Sequence, residues 1–228
     1  MHKDLNAAPL NPLPVAVWLL ALPIAAMELL SSAGATGLLS DPAAIGWRLE
    51  AVGRLGFRPA AMREMIATGY YPWRELLRLV SYPLVHASFT HALMAVVILL
   101  ALGKMVGEVF RTWAMVLVFL GSAVVGALAY MLVPGLSTPL IGAYPAVYGL
   151  IGAFTFLLWV NLAAKGANQY RAFSLIGLLL GIQLLFGLLF GGGYEWVADL
   201  AGFATGFVLS FVVSPGGWAR VKAKLRRR

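Results

Sequence analysis

Six long apolar segments dominate this chain of 228 residues and limit the structures it can adopt. The hydrocarbon core of a membrane is about 30 Å thick, and about 20 helical residues cross it. The segments cover residues 14–30, 84–102, 113–133, 145–160, 173–190 and 196–213, of which the fourth is the shortest. We therefore expect an all-α integral membrane protein with six transmembrane helices, built as a single domain over residues 1–228.

The composition also indicates a membrane protein. Hydrophobic residues make up 61% of the chain and charged residues 11%, whereas soluble domains have about 45–50% and about 25%. The net charge of +8 would suggest nucleic-acid binding in a soluble protein. Here the basic residues lie between spans and in the tail, as the positive-inside rule expects, so we predict no nucleic-acid partner. The chain contains no cysteine, which excludes disulfides and thiol chemistry.

The distribution of Lys and Arg predicts the orientation in the membrane. The connections after the second and fourth spans carry two basic residues each, and the basic tail, residues 214–228, carries six. The connections after the third and fifth spans carry none. Both termini should therefore be cytoplasmic, and we expect the bacterial inner (cytoplasmic) membrane. The first span is longer than the apolar core of a signal peptide and contains Glu28, so we expect it to be retained.

Residues 35–80 have a different character from the six spans. They are too polar to cross a membrane and too apolar for a solvated loop. Apolar residues recur at helical spacing from Ile45 to Leu55, and Glu50 precedes Arg54 by four residues. Such an amphipathic segment lies in the membrane interface with one face in lipid. We therefore predict an interfacial, membrane-embedded first loop.

Three of the spans carry motifs in which polar side chains and glycines keep fixed spacings. The second span carries His86 and His91, and Ala95 follows four residues later. The fourth begins with Gly-Ala-Tyr-Pro-Ala-Val-Tyr-Gly over residues 142–149. The sixth contains Ala-Asp-Leu-Ala-Gly-Phe-Ala-Thr-Gly over residues 198–206.

These motifs resemble those of the rhomboid intramembrane serine proteases, and the resemblance covers most of the chain. Rhomboids carry His-x4-His-x3-Asn in the second helix, Gly-x-Ser with a Tyr four residues after the Ser in the fourth, and Ala-His-x2-Gly-x3-Gly in the sixth. In this chain Ala95 stands at the Asn position, Tyr144 at the Ser position and Asp199 at the His position. The resemblance implies a six-helix, rhomboid-like bundle with a membrane-embedded first loop.

The scaffold residues of the family pattern are retained. Rhomboids carry a Trp-Arg pair in the first loop; Trp73-Arg74 stands in that region, although Arg78 fits the spacing to His86 better. Small residues at regular spacing let helices approach closely in lipid. The glycines expected to do so are Gly149, Gly152, Gly202 and Gly206.

The residues that the resemblance assigns to catalysis are missing. A serine protease needs a hydroxyl nucleophile, a base and donors for the oxyanion. A phenol, with an ordinary pKa of about 10, is a better leaving group than Ser, and an aspartate, with an ordinary pKa of about 4, is a weak base. Ala95 donates no hydrogen bond, and Pro145 removes a backbone N–H beside the site. We therefore predict no catalytic residue, no cofactor and no metal: a pseudoprotease.

Other residues offer no evident replacement. Ser88 lies two residues from His86, and residues two apart on a helix do not face each other. A metal site of His86, His91 and Asp199 is conceivable, but helical residues five apart diverge by about 140°. An aspartyl protease needs two facing carboxylates, and nothing in the sequence brings Glu28 and Asp199 together.

The polar residues of the degenerate site should still form a pocket. An Asp in the centre of a span costs about 2.5–3.5 kcal/mol, and a hydrogen bond within a bundle returns about 0.6–2 kcal/mol. Asp199 therefore meets a water-filled cavity or is kept for a function, or Tyr144 donates to it and fills the former catalytic cavity. Pro145 would begin the fourth helix at this depth, which would explain its short length. The expected pocket residues are His86, His91, Tyr144, Tyr148 and Asp199.

The resemblance favours a membrane scaffold that binds transmembrane helices of client or partner proteins without cleaving them. The lipid bilayer and those helices are the expected partners. One alternative is an active rhomboid-family peptidase that uses unconventional residues. Another is a small-molecule or ion pathway lined by His86, His91 and Asp199, against which stand the few polar residues and the absence of an inverted repeat.

Overall fold

The computed structural model describes residues 12–35, 46–190 and 192–217. These residues form nine α-helices and no β-strand, apart from one isolated bridge between Phe57 and Leu140. The helices are α1 (Val15–Ala35), α2 (Trp47–Leu55), α3 (Pro59–Thr68), α4 (Trp73–Ser81), α5 (Phe89–Gly107), α6 (Thr112–Met131), α7 (Tyr144–Ala164), α8 (Ser174–Phe190) and α9 (Glu195–Val213).

Six of the helical segments are long and apolar enough to cross a membrane. They are α1, α5, α6, α7, α9, and α8 together with the 3-10 turn Gln169–Phe173 before it. The predicted all-α fold with six transmembrane helices is thereby confirmed. Predictions that concern residues 36–45 of the first loop and residues 218–228 of the tail lie outside the described residues.

The second span is displaced from its predicted position of residues 84–102. α5 begins at Phe89, after the 3-10 turn Tyr82–Leu84, and continues to Gly107. Ser88 is the N-cap, and its hydroxyl accepts a hydrogen bond from the backbone N–H of His91 at 3.2 Å. An N-cap oxygen satisfies one of the free donors of a first helical turn, which explains why the helix begins here and not at Leu84.

The fourth span is longer than predicted. α7 has 21 residues and continues to Ala164, so the expectation of a short helix over residues 145–160 was wrong. The hydropathy pattern ended at Asn161, but a single polar side chain does not interrupt the backbone hydrogen bonds of a helix. Pro145 lies in the first turn of α7, where its missing N–H loses no helical hydrogen bond. The first, third and sixth spans begin within one residue of their predicted positions, although α1 continues to Ala35, five residues beyond its predicted end. Helix α8 begins one residue after the predicted start of the fifth span, but the apolar segment that includes the preceding 3-10 turn begins at Gln169.

The three short helices α2, α3 and α4 occupy the segment between α1 and α5, and arginines attach them to the bundle. Arg63 donates to the carbonyl of Met131 at 2.7 Å and to that of Leu136. Met131 is the last residue of α6, so the guanidinium meets one carbonyl that the helix end leaves free and one from the connection that follows. The loop is thereby held against the end of the bundle at which α6 finishes and α7 begins.

Arg78 holds the loop together from inside. The residue is 9% exposed, and one of its terminal nitrogens donates to the carbonyls of Gly53 at 2.8 Å and Gly56 at 2.9 Å. Arg74, by contrast, extends over the ring of its exposed neighbour Trp73. The buried arginine of the first loop is therefore Arg78 and not Arg74.

Helix α7 packs against α9 with backbone close to backbone. A Cβ added at Gly202 would lie 2.0 Å from the carbonyl oxygen of Pro145, and one at Gly206 would lie 1.9 Å from that of Gly149. A Cβ at Gly152 would lie 2.1 Å from the carbonyl oxygen of Phe203. Any side chain at these positions would separate the helices. The contact fixes Tyr144, at the start of α7, relative to Asp199, on the first turns of α9.

Candidate functional site

A cavity of about 430 Å³ opens at the end of the bundle where α7 and α9 begin. Three of the five residues predicted for the polar pocket, His91, Tyr144 and Asp199, line it. His86 and Tyr148 do not line it, although both contact residues that do. The full lining comprises Ala87, His91, Thr138, Pro139, Leu140, Ile141, Tyr144, Pro145, Gln183, Glu195 and Asp199.

The first loop supports the wall of this cavity on the side of residues 138–143. Phe57 and Leu140 exchange two backbone hydrogen bonds, at 3.0 and 2.8 Å, and Gly142 donates to the carbonyl of Tyr82 at 3.1 Å. Gly142 has a φ of +94°, and a Cβ there would lie 2.9 Å from Cε1 of His91. Glycine is required at this position both for the backbone conformation and for the close approach of the imidazole.

His86 lies behind the cavity and holds the start of α7. It is 1% exposed, and its Nε2 accepts a hydrogen bond from the backbone N–H of Ala143 at 3.2 Å. Burial, and next the neighbouring His91, lower the pKa of His86 to about 4. His86 is therefore a neutral imidazole, and its unprotonated Nε2 is the acceptor that supports the turn into α7.

The relation between the two histidines differs from the sequence expectation. His86 precedes α5, so His86 and His91 are not on one helix and the divergence of about 140° does not apply to them. The centroids of the two imidazole rings lie 5.3 Å apart, edge to face. Within the described residues, no group of three His, Asp or Glu side chains is arranged to hold a metal ion.

Tyr144 contacts His91 and not Asp199. Its ring stacks on the imidazole with centroids 4.8 Å apart, and its hydroxyl donates to the backbone carbonyl of His91 at 3.4 Å. Nδ1 of His91 in turn accepts from the backbone N–H of Ala87 at 3.3 Å. Among the described residues the expected hydrogen bond between Tyr144 and Asp199 is absent, because the ring lies flat against His91.

Gln183 of α8, and not Tyr144, is the hydrogen-bond donor to Asp199. Its amide donates from Nε2 to Oδ2 of Asp199 at 2.8 Å, and its Oε1 accepts from the Tyr148 hydroxyl at 3.4 Å. Asp199 is 2% exposed, and its second oxygen, Oδ1, has no hydrogen-bond partner among the described residues. Gln183 was not predicted from the sequence, although an amide in the interior of a strongly apolar span was a visible signal.

Glu195 was also missed. It lies in the first turn of α9 and contributes to the lining of the cavity one helical turn before Asp199. The hydropathy pattern placed the start of the sixth span at Trp196 and left this carboxylate in the preceding connection. Residues four apart on a helix lie on one face, so Glu195 and Asp199 point to the same side of α9.

Two other residues singled out by the sequence, Ala95 and Glu28, are not among those that line the cavity. Ala95 is fully buried in the core and has no polar atom in its side chain. Glu28 of α1 forms a salt bridge with Arg48 of α2 at 2.6 Å, and Arg48 also donates to the carbonyl of His86 at 2.8 Å. Glu28 therefore connects α1 to the first loop and does not share the site of Asp199.

The fold and the site together define a class of protein. A bundle with six potential membrane spans in which α5, α7 and α9 bring their motifs around one cavity has the architecture of an intramembrane protease. The rhomboid domain model matches residues 73–216, which extend from α4 to the end of α9. This chain belongs to the rhomboid family.

A curated relative agrees with this assignment. Over 142 residues the chain is 29% identical to the putative rhomboid protease YdcA of Bacillus subtilis (strain 168). The alignment covers 60% of this chain and 67% of the relative. The family is normally composed of intramembrane serine proteases, so the chemistry at Tyr144, Asp199 and Ala95 decides how this member can act.

Proposed function

We propose that this protein is a catalytically inactive rhomboid that binds transmembrane segments of client or partner membrane proteins without cleaving them. The observation that carries the proposal is the position of Tyr144. At the site of the family nucleophile, its hydroxyl donates to the backbone carbonyl of His91, and its ring is stacked on the imidazole. A nucleophile needs a base that accepts its proton, and a carbonyl oxygen is not such a base.

The groups around Tyr144 also weigh against hydrolysis. Asp199, at the position of the family base, accepts a hydrogen bond from Gln183 and none from Tyr144. Ala95 offers no side-chain donor at the position of the family Asn, and Pro145 offers no backbone N–H. Stabilising the oxyanion is often the largest single contribution to acyl transfer, so these losses weigh against hydrolysis even if Tyr144 were activated.

The proposed binding of client segments is supported by the cavity, by the glycine contact and by the apolar face of α8. The cavity of about 430 Å³ is open, and the glycine contact between α7 and α9 is intact. Beside the cavity α8 exposes apolar side chains along much of its length, among them Leu178, Ile182, Leu185 and Leu188. In a membrane this face meets lipid or another helix, which makes it a suitable surface for a client segment. With the orientation predicted from the charges, the cavity would open on the non-cytoplasmic side.

The test combines cleavage and binding in one preparation. Purified protein in mild detergent is incubated with generic rhomboid substrates and with a fluorophosphonate probe, and a photo-reactive residue at Leu185 of α8 reports helix contact. We expect no cleavage and no modification, but specific cross-links that a photo-reactive residue at Val97 of α5 does not give. Restoring Ser at residue 144 alone should not produce cleavage, because the base and the oxyanion donors are still missing. Probe modification that is lost in Ser88→Ala would overturn the assignment of inactivity.

A second candidate function is favoured by one specific observation. Glu195 and Asp199 both line the cavity, and two carboxylates in one site can perform acid–base hydrolysis. An active peptidase with unconventional residues would therefore cleave a transmembrane substrate and lose that activity in both Glu195→Gln and Asp199→Asn. The absence of cleavage by the unmodified protein would exclude this alternative.

A further inference from the structure

We infer that the cavity beside α7 and α9 binds a cationic side chain, the ammonium of a Lys or the guanidinium of an Arg near the end of a client's transmembrane segment. The inference rests on the proposed client-binding function and assigns the chemistry by which a client is recognised.

The charge of the cavity is the first argument. Two carboxylates, Glu195 and Asp199, line it on the same face of α9, and its lining includes no Lys or Arg among the described residues. Two arginines of the first loop already have partners: Arg48 binds Glu28, and Arg63 donates to the carbonyls of Met131 and Leu136. Among the described residues, no salt bridge involves Glu195 or Asp199.

The second argument is the unused oxygen of Asp199. The residue is only 2% exposed, and its carboxyl group can act only as an acceptor when ionised. The Tyr148 hydroxyl donates to Oε1 of Gln183, which directs Nε2 of the same amide toward Oδ2 of Asp199. Oδ1 of Asp199 has no donor among the described residues. A buried acceptor without a donor is unfavourable. A ligand cation would supply a charge-assisted hydrogen bond, the strongest kind available.

The walls suit the stem of a basic side chain. Pro139, Leu140 and Ile141 form an apolar wall that can cover the methylenes of a Lys or Arg, whose charged end then reaches the carboxylates. Tyr144 also lines the cavity, and an aromatic residue attracts a cation through the ring face that is not stacked on His91.

There is also a route from the membrane. A second cavity of about 530 Å³ lies between α8 and α9 and shares Gln183 and Glu195 with the first. A basic side chain on a helix packed against α8 would pass Glu195 before it reached Asp199. Long basic side chains near the end of a span extend toward the interface in this way.

The experiment uses two probes on the full chain in lipid nanodiscs. The first is a synthetic 20-residue Leu/Ala helix with one Lys near its outer end, paired with an identical peptide that has norleucine in place of Lys. We expect the Lys peptide to bind at least tenfold more tightly than the norleucine peptide. The preference should fall below twofold in Asp199→Asn and decrease severalfold in Glu195→Gln. Glu50→Gln, which changes an exposed carboxylate of α2, should keep the full preference.

The second probe separates this inference from the proposed function. Butylammonium should raise the melting temperature of the protein at concentrations at which butanol does not, and this shift should be lost in Glu195→Gln. Because Glu195 is exposed, that variant should fold even if Asp199→Asn does not.

Each outcome distinguishes the two ideas. If both peptides bind equally and butylammonium has no effect, a cationic recognition site is excluded while client binding is retained. If neither peptide binds but butylammonium stabilises the protein, the cavity takes cations and the client-binding function is wrong.

Discussion

At the scale of single residues, the side chains at the catalytic positions of the family form two separate contacts. Tyr144 stacks on His91 and donates to its carbonyl, whereas Asp199 is held by Gln183 from a different helix. The sequence had suggested one polar pair between Tyr144 and Asp199. The separation matters because the two contacts have different strengths and can be tested independently.

Replacing Gln183 by Met should destabilise the protein more than replacing Tyr144 by Phe. Gln183→Met leaves the buried carboxylate of Asp199 without its protein donor, which costs about 1–3 kcal/mol. Tyr144→Phe removes one long hydrogen bond of 3.4 Å and keeps the ring on His91, so its effect should be below about 1 kcal/mol. Thermal unfolding of both variants in one detergent provides the comparison. An equal loss in the two proteins would show that Tyr144 also supports Asp199.

His86 should make the stability of the protein depend on pH. Its pKa of about 4 in the folded state lies below the ordinary 6.5, so its contribution is complete above about pH 6.5 and is lost as the pH falls through about 4. Protonation of Nε2 would remove the acceptor of the Ala143 N–H. The shift corresponds to a contribution on the order of 3 kcal/mol.

The measurement compares the melting temperature of the protein and of His86→Gln between pH 4.5 and 7. Gln can still accept a hydrogen bond but does not titrate in this range, whereas the carboxylates titrate alike in both proteins. The unmodified protein should therefore lose more stability toward acidic pH. Parallel curves for the two proteins would show that His86 titrates normally.

At the scale of helices, α7 and α9 form the rigid part of the site and α8 a loosely attached wall. The first two are joined along glycines that permit backbone contact, whereas most residues of α8 are exposed. Gln183 and Asp199 therefore connect the least packed helix to the most packed pair. A change in the position of α8 would act directly on this hydrogen bond.

Glycine substitutions should distinguish these two kinds of helix. Gly202→Ala or Gly206→Ala places a methyl group about 2 Å from a carbonyl oxygen of α7, and we expect a loss of about 1–3 kcal/mol from overpacking. Gly177→Ala and Gly181→Ala in α8 are matched controls, because nothing lies within 4 Å of their added Cβ. These should be neutral or stabilise the helix by up to about 1 kcal/mol. Melting temperatures of the four variants test this difference, and equal effects in both helices would contradict the close backbone contact between α7 and α9.

At the scale of the whole molecule, the two connections flanking α7 lie at opposite ends of the bundle. The connection before α7 carries Thr138 in the cavity wall, and the connection after it carries Asn168, which caps the following 3-10 turn. Both residues are exposed. If the basic connections face the cytoplasm, the cavity opens on the opposite side of the membrane.

Single cysteines can test this orientation, because the chain has none of its own. In intact cells we expect an impermeant maleimide to label Thr138→Cys and to leave Asn168→Cys unlabelled. Both positions should react after permeabilisation, which controls for accessibility. The reverse labelling pattern would show that the cavity opens on the cytoplasmic side of the membrane.

The local sequence determined the class of fold, because length and apolarity suffice to define membrane spans. The motifs that contain His86, Tyr144 and Asp199 also resemble those of the rhomboid family. The starts of most spans followed from hydropathy alone. The start of α5 depended on an N-cap hydrogen bond. The ends of α1, α5 and α7 lie four or five residues beyond the predicted ones, in α7 because a helix tolerates one Asn.

Only the tertiary structure decided which side chains meet. Gln183 reaches Asp199, and His86 supports Ala143, through contacts between residues distant in the chain that no local pattern encodes. Glu195 joins the site because α9 begins one residue earlier than hydropathy indicates. The physical reason is that hydropathy records how each residue partitions between water and lipid, whereas hydrogen bonds and close glycine contacts depend on how the helices are placed against one another.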